Sequence, residues 1–257
     1  MNSRKNYYTK ALIFLLSLLI IYVTNFTTID RDAKSRINTS FRQALEVFAT
    51  TKALNGVISL VQSTEISLFG VTLSPGEILD PVNDLIERFS WIMLASLISL
   101  GIQTILMNIV VFGAFKVLLI FSLVLLNIVL FFKLENYKQS KTIFFKFTIL
   151  LIFLKFSIPI MTMANEYVYV TFVKQEYNKE KSQQVITEAK NDISKFHDDK
   201  ISIFSIKYYQ EKMRELEKIA SVAADNILDL IIVFIFQTIL FPILFLWFLC
   251  RMITSFF

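Results

Sequence analysis

The chain has 257 residues, is 55% hydrophobic and 18% charged, and carries a formal net charge of +5; its mean hydropathy of +0.59 is high for a soluble domain. A single cysteine, Cys250, excludes an intrachain disulfide and a redox dithiol, and a single histidine, His197, excludes histidine-built zinc sites and Ser/His/Asp triads elsewhere. Most charge lies outside long apolar blocks, so the basic balance marks membrane flanks and not a nucleic-acid patch.

Arg4, Lys5 and Lys10 precede the apolar run 11–23 with no acid among them, and Tyr7, Tyr8, Tyr22 and Phe26 suit its interfaces. A cleaved signal peptide and an uncleaved anchor both fit this pattern. No small-residue cleavage site follows, so residues 1–26 read as a signal-anchor helix with a cytoplasmic N-terminus.

Residues 27–90 read as an extracytoplasmic segment. Ile37, Phe41, Leu45 and Phe48 fit one helix stripe, Asn55-Gly56 predicts a break, and Leu54, Val57, Ile58 and Val61 predict a shorter second helix. Ile66, Leu68, Val71 and Leu73 predict extended structure around Gly70. That stretch reads as a loop over the membrane part, or as a hairpin that touches a ligand or partner. Ser74, Pro75 and Glu77 form a helix-start signal, Pro81 is expected to stop that short turn, and Asp80 to cap a new helix. Val82, Leu85, Ile86 and Phe89 give the new helix an apolar face.

Residues 91–132 predict a membrane hairpin or two spans. The 91–115 stretch is about 37 Å long as a helix, and the 117–132 stretch about 24 Å. Ser96, Ser99, Gly101, Gln103, Thr104 and Asn108 mark helix–helix contact, and 113–116 suits a tight turn. The segment 133–146, with Lys133, Lys138, Lys141 and Lys146 against Glu135, reads as a basic cytoplasmic loop. Residues 147–164 form the next membrane helix, with Pro159 inside it.

Residues 165–225 are highly charged. Ile186, Ala189, Ile193 and Phe196 form one stripe; Ile206, Tyr209, Met213, Leu216, Ala220, Ala223 and Ile227 form a seam of alternating threes and fours. This pattern predicts an extracytoplasmic antiparallel helical hairpin, coiled-coil-like, with a solvated His197 in its turn. Residues 226–251 make the last span.

Counting every apolar block as a crossing gives five, and then places the 133–146 loop and Arg251 outside, against the charge bias of the N-terminus. A single net crossing over 81–132 by an uneven hairpin removes the conflict. The expected fold is therefore an all-α integral membrane protein with four net crossings, a membrane-embedded hairpin segment and an extramembrane helical domain.

Lys155 is the sharpest candidate. It lies about 13 Å of helix rise beyond Lys146, where a lysine costs on the order of 2.5–3.5 kcal/mol to insert. Partnered by Gln103, Asn108 or Asp229, it reads as an ion or proton site or a gate; otherwise it snorkels or bonds a neighbouring helix. Asp229 is otherwise a solvated helix start, while Gln237, Thr238 and Pro242 suit helix–helix contact. Glu65, Glu77, Asp80 and Asp84 can act as a carboxylate pair, but capping explains three of them. No catalytic residue, metal site or cofactor site is read from the sequence, and five glycines offer no phosphate-cradling loop.

The run SPGEILDPVNDLIERFSWIMLASLISLGIQ, within residues 62–105, resembles a segment of a family of uncharacterised bacterial multi-pass inner-membrane proteins; Pro159 to Glu166 and the final span resemble it more weakly. The resemblance implies a bacterial inner membrane and a periplasmic outer side, and it carries no activity and no site residues. The expected function is non-enzymatic: assembly with itself or with another membrane or periplasmic protein, through a periplasmic helical domain set in the lipid bilayer. The alternative is a channel or small-solute transporter built around Lys155.

Overall fold

The computed structural model describes the chain apart from residues 1, 26, 64–65, 69–70, 74, 132–137, 199–205 and 256–257. The described residues are nearly all helical, with one short hairpin of strands, and several helices are long and apolar enough to cross a membrane. Helix α1 covers Asn2–Asn25 and α2 Thr27–Gln62; strands β1 (Ile66–Leu68) and β2 (Val71–Leu73) follow. Then come α3 (Pro75–Val111), α4 (Gly113–Phe131), α5 (Lys138–Val168), α6 (Lys179–Asp198), α7 (Ile206–Phe234) and α8 (Phe241–Ser255). Two wide π-helical turns, Tyr169–Val173 and Ile235–Leu240, continue α5 and join α7 to α8. Among the described residues, five stretches have the length and composition of membrane spans: Thr28–Gln62, Gly76–Val111, Gly113–Phe131, Thr142–Val173 and Gln210–Met252.

The chain divides into two compact units. The first holds residues 1–39, 101–164 and 246–257. Here Phe14 meets Phe131 edge-on at 5.9 Å and Asn127 donates to Ser17 at 2.8 Å. Positions that rise along α1 meet positions that fall along α4, so the two run antiparallel. Ser122 and Thr148 share a hydrogen bond at 2.8 Å, and Leu119 and Leu123 pack with Leu151. By the same logic α4 runs antiparallel to α5. The start of α1, the end of α4 and the start of α5 therefore lie at one end of this unit, which carries Lys10, Lys138, Lys141 and Lys146.

The second unit holds residues 40–100 and 165–245. Its core joins Ala44, Leu54 and Ile58 of α2, Leu79, Ile86 and Phe89 of α3, Ile186 and Ile193 of α6, and Leu216, Ala220 and Ile227 of α7. One groove is lined by Val185, Ala189 and Asp192 of α6 and by Glu215, Ile219 and Val222 of α7. Helix α6 ends at Asp198 and α7 begins at Ile206, so two helices that bring 185–192 to 215–222 across such a short connection pack antiparallel, as their two stripes predict. Of their expected turn at 197–200, residues 199–200 lie outside the described residues. The backbone of His197 belongs to α6, not to a turn.

Several expectations change. Gly56 does not break α2. Thr51, Leu54, Ile58 and Val61 continue the buried stripe through it, which outweighs the roughly 1 kcal/mol helix penalty of glycine. The stripe is also rotated: Ala33, Ile37, Ala44 and Val47 are buried, while Leu45 is exposed. Pro81 does not end a helix and Asp80 caps nothing. Pro81 sits inside α3, and exposed Asp80 accepts a 2.7 Å hydrogen bond from Gln62. Proline near a helix start removes one backbone bond, here to the carbonyl of Glu77, which lies at an exposed residue. Residues 138–146 are already helix, so only the part of the basic loop outside the described residues remains beyond it. The α3–α4 break falls at Phe112, whose amide bonds back to Asn108 and Ile109, while Gly113 opens α4. Extended structure on both sides of Gly70 is found: Ile66 faces Leu73, and Leu68 faces Val71. Ser74, Glu65 and Gly70 themselves lie outside the described residues.

Candidate functional site

In the first unit the stripe of α2 begins with a charge. Extending it back from Ile37 by four and seven residues reaches Ala33 and then Asp30, so Asp30 is turned inward, 5% exposed. Lys155, from the middle of α5, is 1% exposed and places Nζ 2.6 Å from Asp30 Oδ2. Lys116, in the first turn of α4, reaches the same oxygen at 3.5 Å. Three elements thus converge on one carboxylate, and the cluster carries two positive charges against one negative.

The cluster is about 22 Å from the end of α4 and about 26 Å from the start of α5, counting 1.5 Å per residue. That distance spans most of an apolar layer of about 30 Å, measured from the lysine-bearing end. Burying both ions takes them out of water, and only the close contact and the second lysine make that tolerable. The arrangement fastens three helices. It also holds a proton-bearing group against a carboxylate, the arrangement that ion and proton pathways use within membranes.

The expected partners of Lys155 are not the observed one. Gln103 is buried in the same unit, at 8% exposed, but the bond of Lys155 goes to Asp30. Asn108 faces outward beside an open groove. Asp229 belongs to the second unit. Among the described residues no group of three His, Cys, Asp or Glu side chains converges as a metal site would. The acidic residues Glu77, Asp80 and Asp84 are exposed.

A second polar cluster lies in the second unit, and its cause is Pro242. Proline has no amide hydrogen and disturbs the helix four residues before it. The chain responds with the π-helical turn 235–240, in which the Phe241 amide bonds the Phe236 carbonyl. The Gln237 carbonyl thereby loses its usual helical donor, and the Asn165 side chain supplies one at 2.8 Å. The Thr238 carbonyl accepts from the Ser99 hydroxyl, and Thr238 Oγ1 lies 2.8 Å from Ser96 Oγ. Lys179 donates to Gln237 Oε1 at 2.9 Å and lies 4.4 Å from the ring centre of Tyr169. Burial pushes the Lys179 ammonium below the ordinary lysine range, against the pull of Glu180 and Glu166. The expectation that Gln237 and Thr238 join helices is met by these bonds. Asn165, Tyr169 and Lys179 were not legible as their partners, because a π-helical turn shifts the register that spacing arguments assume.

No protein-family model, curated protein or solved structure matches this chain.

Proposed function

We propose that this is a non-enzymatic multi-pass protein of a bacterial inner membrane, which acts by binding another copy of itself or a membrane or periplasmic partner through a helical body on the outer side. The observation that carries this reading is the joining of the charged helix portions into one preformed core. Helix α3 has 37 residues, about 55 Å, and the stretch Gln210–Met252 has 43, about 64 Å. About 20 residues cross an apolar layer. Residues 40–62 of α2, the charged remainder of α3 and α7, and α6 stand outside the layer in this reading and share the Leu54–Ile86–Ile186–Leu216 core.

The basic end of the first unit supports a cytoplasmic placement for the N-terminus and the 133–146 segment. Four net crossings follow if 81–132 counts once. The Leu216–Ile227 seam is buried within the chain, so a partner meets other faces of the body. Crosslinking in native membranes is expected to trap a dimer or a distinct partner through cysteines on exposed positions of α2, α6 or α7. Recovery of monomer alone, with no partner, contradicts the reading.

The buried Asp30–Lys155–Lys116 cluster favours a second reading, a channel or small-solute transporter. Flux in proteoliposomes is then expected to fall with Lys155→Leu. Flux unchanged by that substitution removes this reading.

A further inference from the structure

In the helical body, α2 ends at Gln62 and α3 begins at Pro75, and the two pack antiparallel. Gln62 donates to Asp80 at 2.7 Å and Gly76 lies against the Gln62 backbone, while Phe48, Lys52, Glu87, Trp91 and Leu94 line one groove between the helices. Leu45 continues the Phe48–Lys52 stripe by three residues. Both stripes step by three and then by four, in opposite chain directions, so their members pair off level by level. Lys52 stands beside Glu87, Phe48 beside Trp91, and Leu45 beside Leu94. Trp91, Leu45 and Leu94 are 73%, 49% and 42% exposed. Lys52 and Glu87 are exposed too, and among the described residues neither side chain forms an ion pair.

The charges and the membrane together select an occupant. A partner of one charge sign leaves either Lys52 or Glu87 unmatched, whereas a second copy of this chain matches both. Two copies inserted the same way in one bilayer are related by a two-fold along its normal. With α2 and α3 upright on the layer, such an axis along the groove brings together residues of equal height on opposite walls. It lays α2 of each copy on α3 of the other. Lys52 then meets the second copy's Glu87, Trp91 meets its Phe48 and Leu45 meets its Leu94, each contact occurring twice and no like charges opposed. Neighbouring helices around the axis alternate in direction, as in an up-down four-helix bundle.

We infer that this face of the helical body docks a second copy of the same chain about a two-fold along the groove. The inference rests on the assembly reading above and names its partner. In a Cys250→Ser background, co-expressed Leu45→Cys and Leu94→Cys copies are expected to form a mixed disulfide in native membranes. Leu45→Cys with Leu60→Cys is expected to form none, because Leu60 is exposed about 22 Å further along α2. Lys52→Glu in both copies, which sets two glutamates against two, is expected to cut the Leu45–Leu94 dimer about 5- to 30-fold. Lys52→Glu in one copy with Glu87→Lys in the other restores it, since a copy with two acids then faces a copy with two bases. A contact within one chain cannot be rescued by a change in another. The disulfide comparison alters no charge and stands even where a reversal unfolds the chain. No 45–94 disulfide, reversals without effect, or no rescue between folded variants overturns the inference. A dimer trapped only through other faces, or a different captured partner, overturns it while sparing the assembly reading. Monomer alone overturns both.

Discussion

The two units are fastened in opposite ways. The first has a small apolar cluster around Leu119, Leu123 and Leu151, and its helices are joined by Asp30–Lys155–Lys116, Ser17–Asn127 and Ser122–Thr148. The second has a long continuous apolar core from Ala44 to Phe234, with its polar bonds gathered around the π-helical turn at 235–240. In the proposed placement, with the first unit in lipid and the helical body in water, the contrast follows from the solvent. Between helices in lipid there is little hydrophobic gain, because lipid tails are as apolar as leucine, so directional polar contacts hold the register. Where water bathes a helical body, burying oil is enough.

The largest effect that would break this contrast is at Asp30. Asp30→Ala leaves Lys155 buried without its anion and is expected to destabilise the protein by about 3–5 kcal/mol. Asp30→Leu combined with Lys155→Leu removes the buried pair and is expected to recover most of that loss, since Lys116 is the least buried member of the cluster. Denaturant-induced unfolding in nanodiscs, followed by circular dichroism, reads both; equal losses in the single and double variants would count against the buried pair.

In the second unit the expected sensitivity is to cavities. Leu54→Ala, at a fully buried position, should cost about 2–5 kcal/mol in the same assay, whereas an exposed neighbour such as Leu45→Ala should cost little. Smaller still is the effect at the π-helical turn. Asn165→Ala leaves the Gln237 carbonyl without its donor and is expected to cost about 1–3 kcal/mol. In a Pro242→Ala background a backbone amide becomes available at 242, and the same substitution should cost less than half as much. Additive losses would show that proline does not cause the bulge.

The smallest effect is a pH slope. Because burial lowers the Lys179 pKa, the unfolded chain binds a proton that the folded chain has released across the interval below the ordinary value of about 10.4. Stability from this group therefore rises with pH through that interval. Lys179→Met should flatten the alkaline end of the stability profile, and an unchanged slope would remove Lys179 from the account.

Much of this was legible in the residues, and the failures have physical causes. The α6–α7 pairing was readable because Ile186, Ala189, Ile193, Leu216, Ala220 and Ala223 keep helical spacing. The strands around Gly70 were readable from alternation. Lys155 stood out as a lone base in an apolar block, but its anion did not, because Asp30 lies among Arg31, Asp32 and Lys34 and looks solvated. Only the backward extension of the Ile37 stripe distinguishes it. Gly56 and Pro81 misled because local penalties of a few kcal/mol or less are overridden by a core that continues on both sides of them. The partners of Gln237 were hidden by the changed register at Pro242.

The most direct measurement of the central claim is the side of the membrane on which residues 137 and 190 lie, read by paired reporter fusions that are active only in the cytoplasm or only outside it. The account predicts 137 inside, with the basic end of the first unit, and 190 outside, with the helical body. An outward 137 with an inward 190 would contradict it.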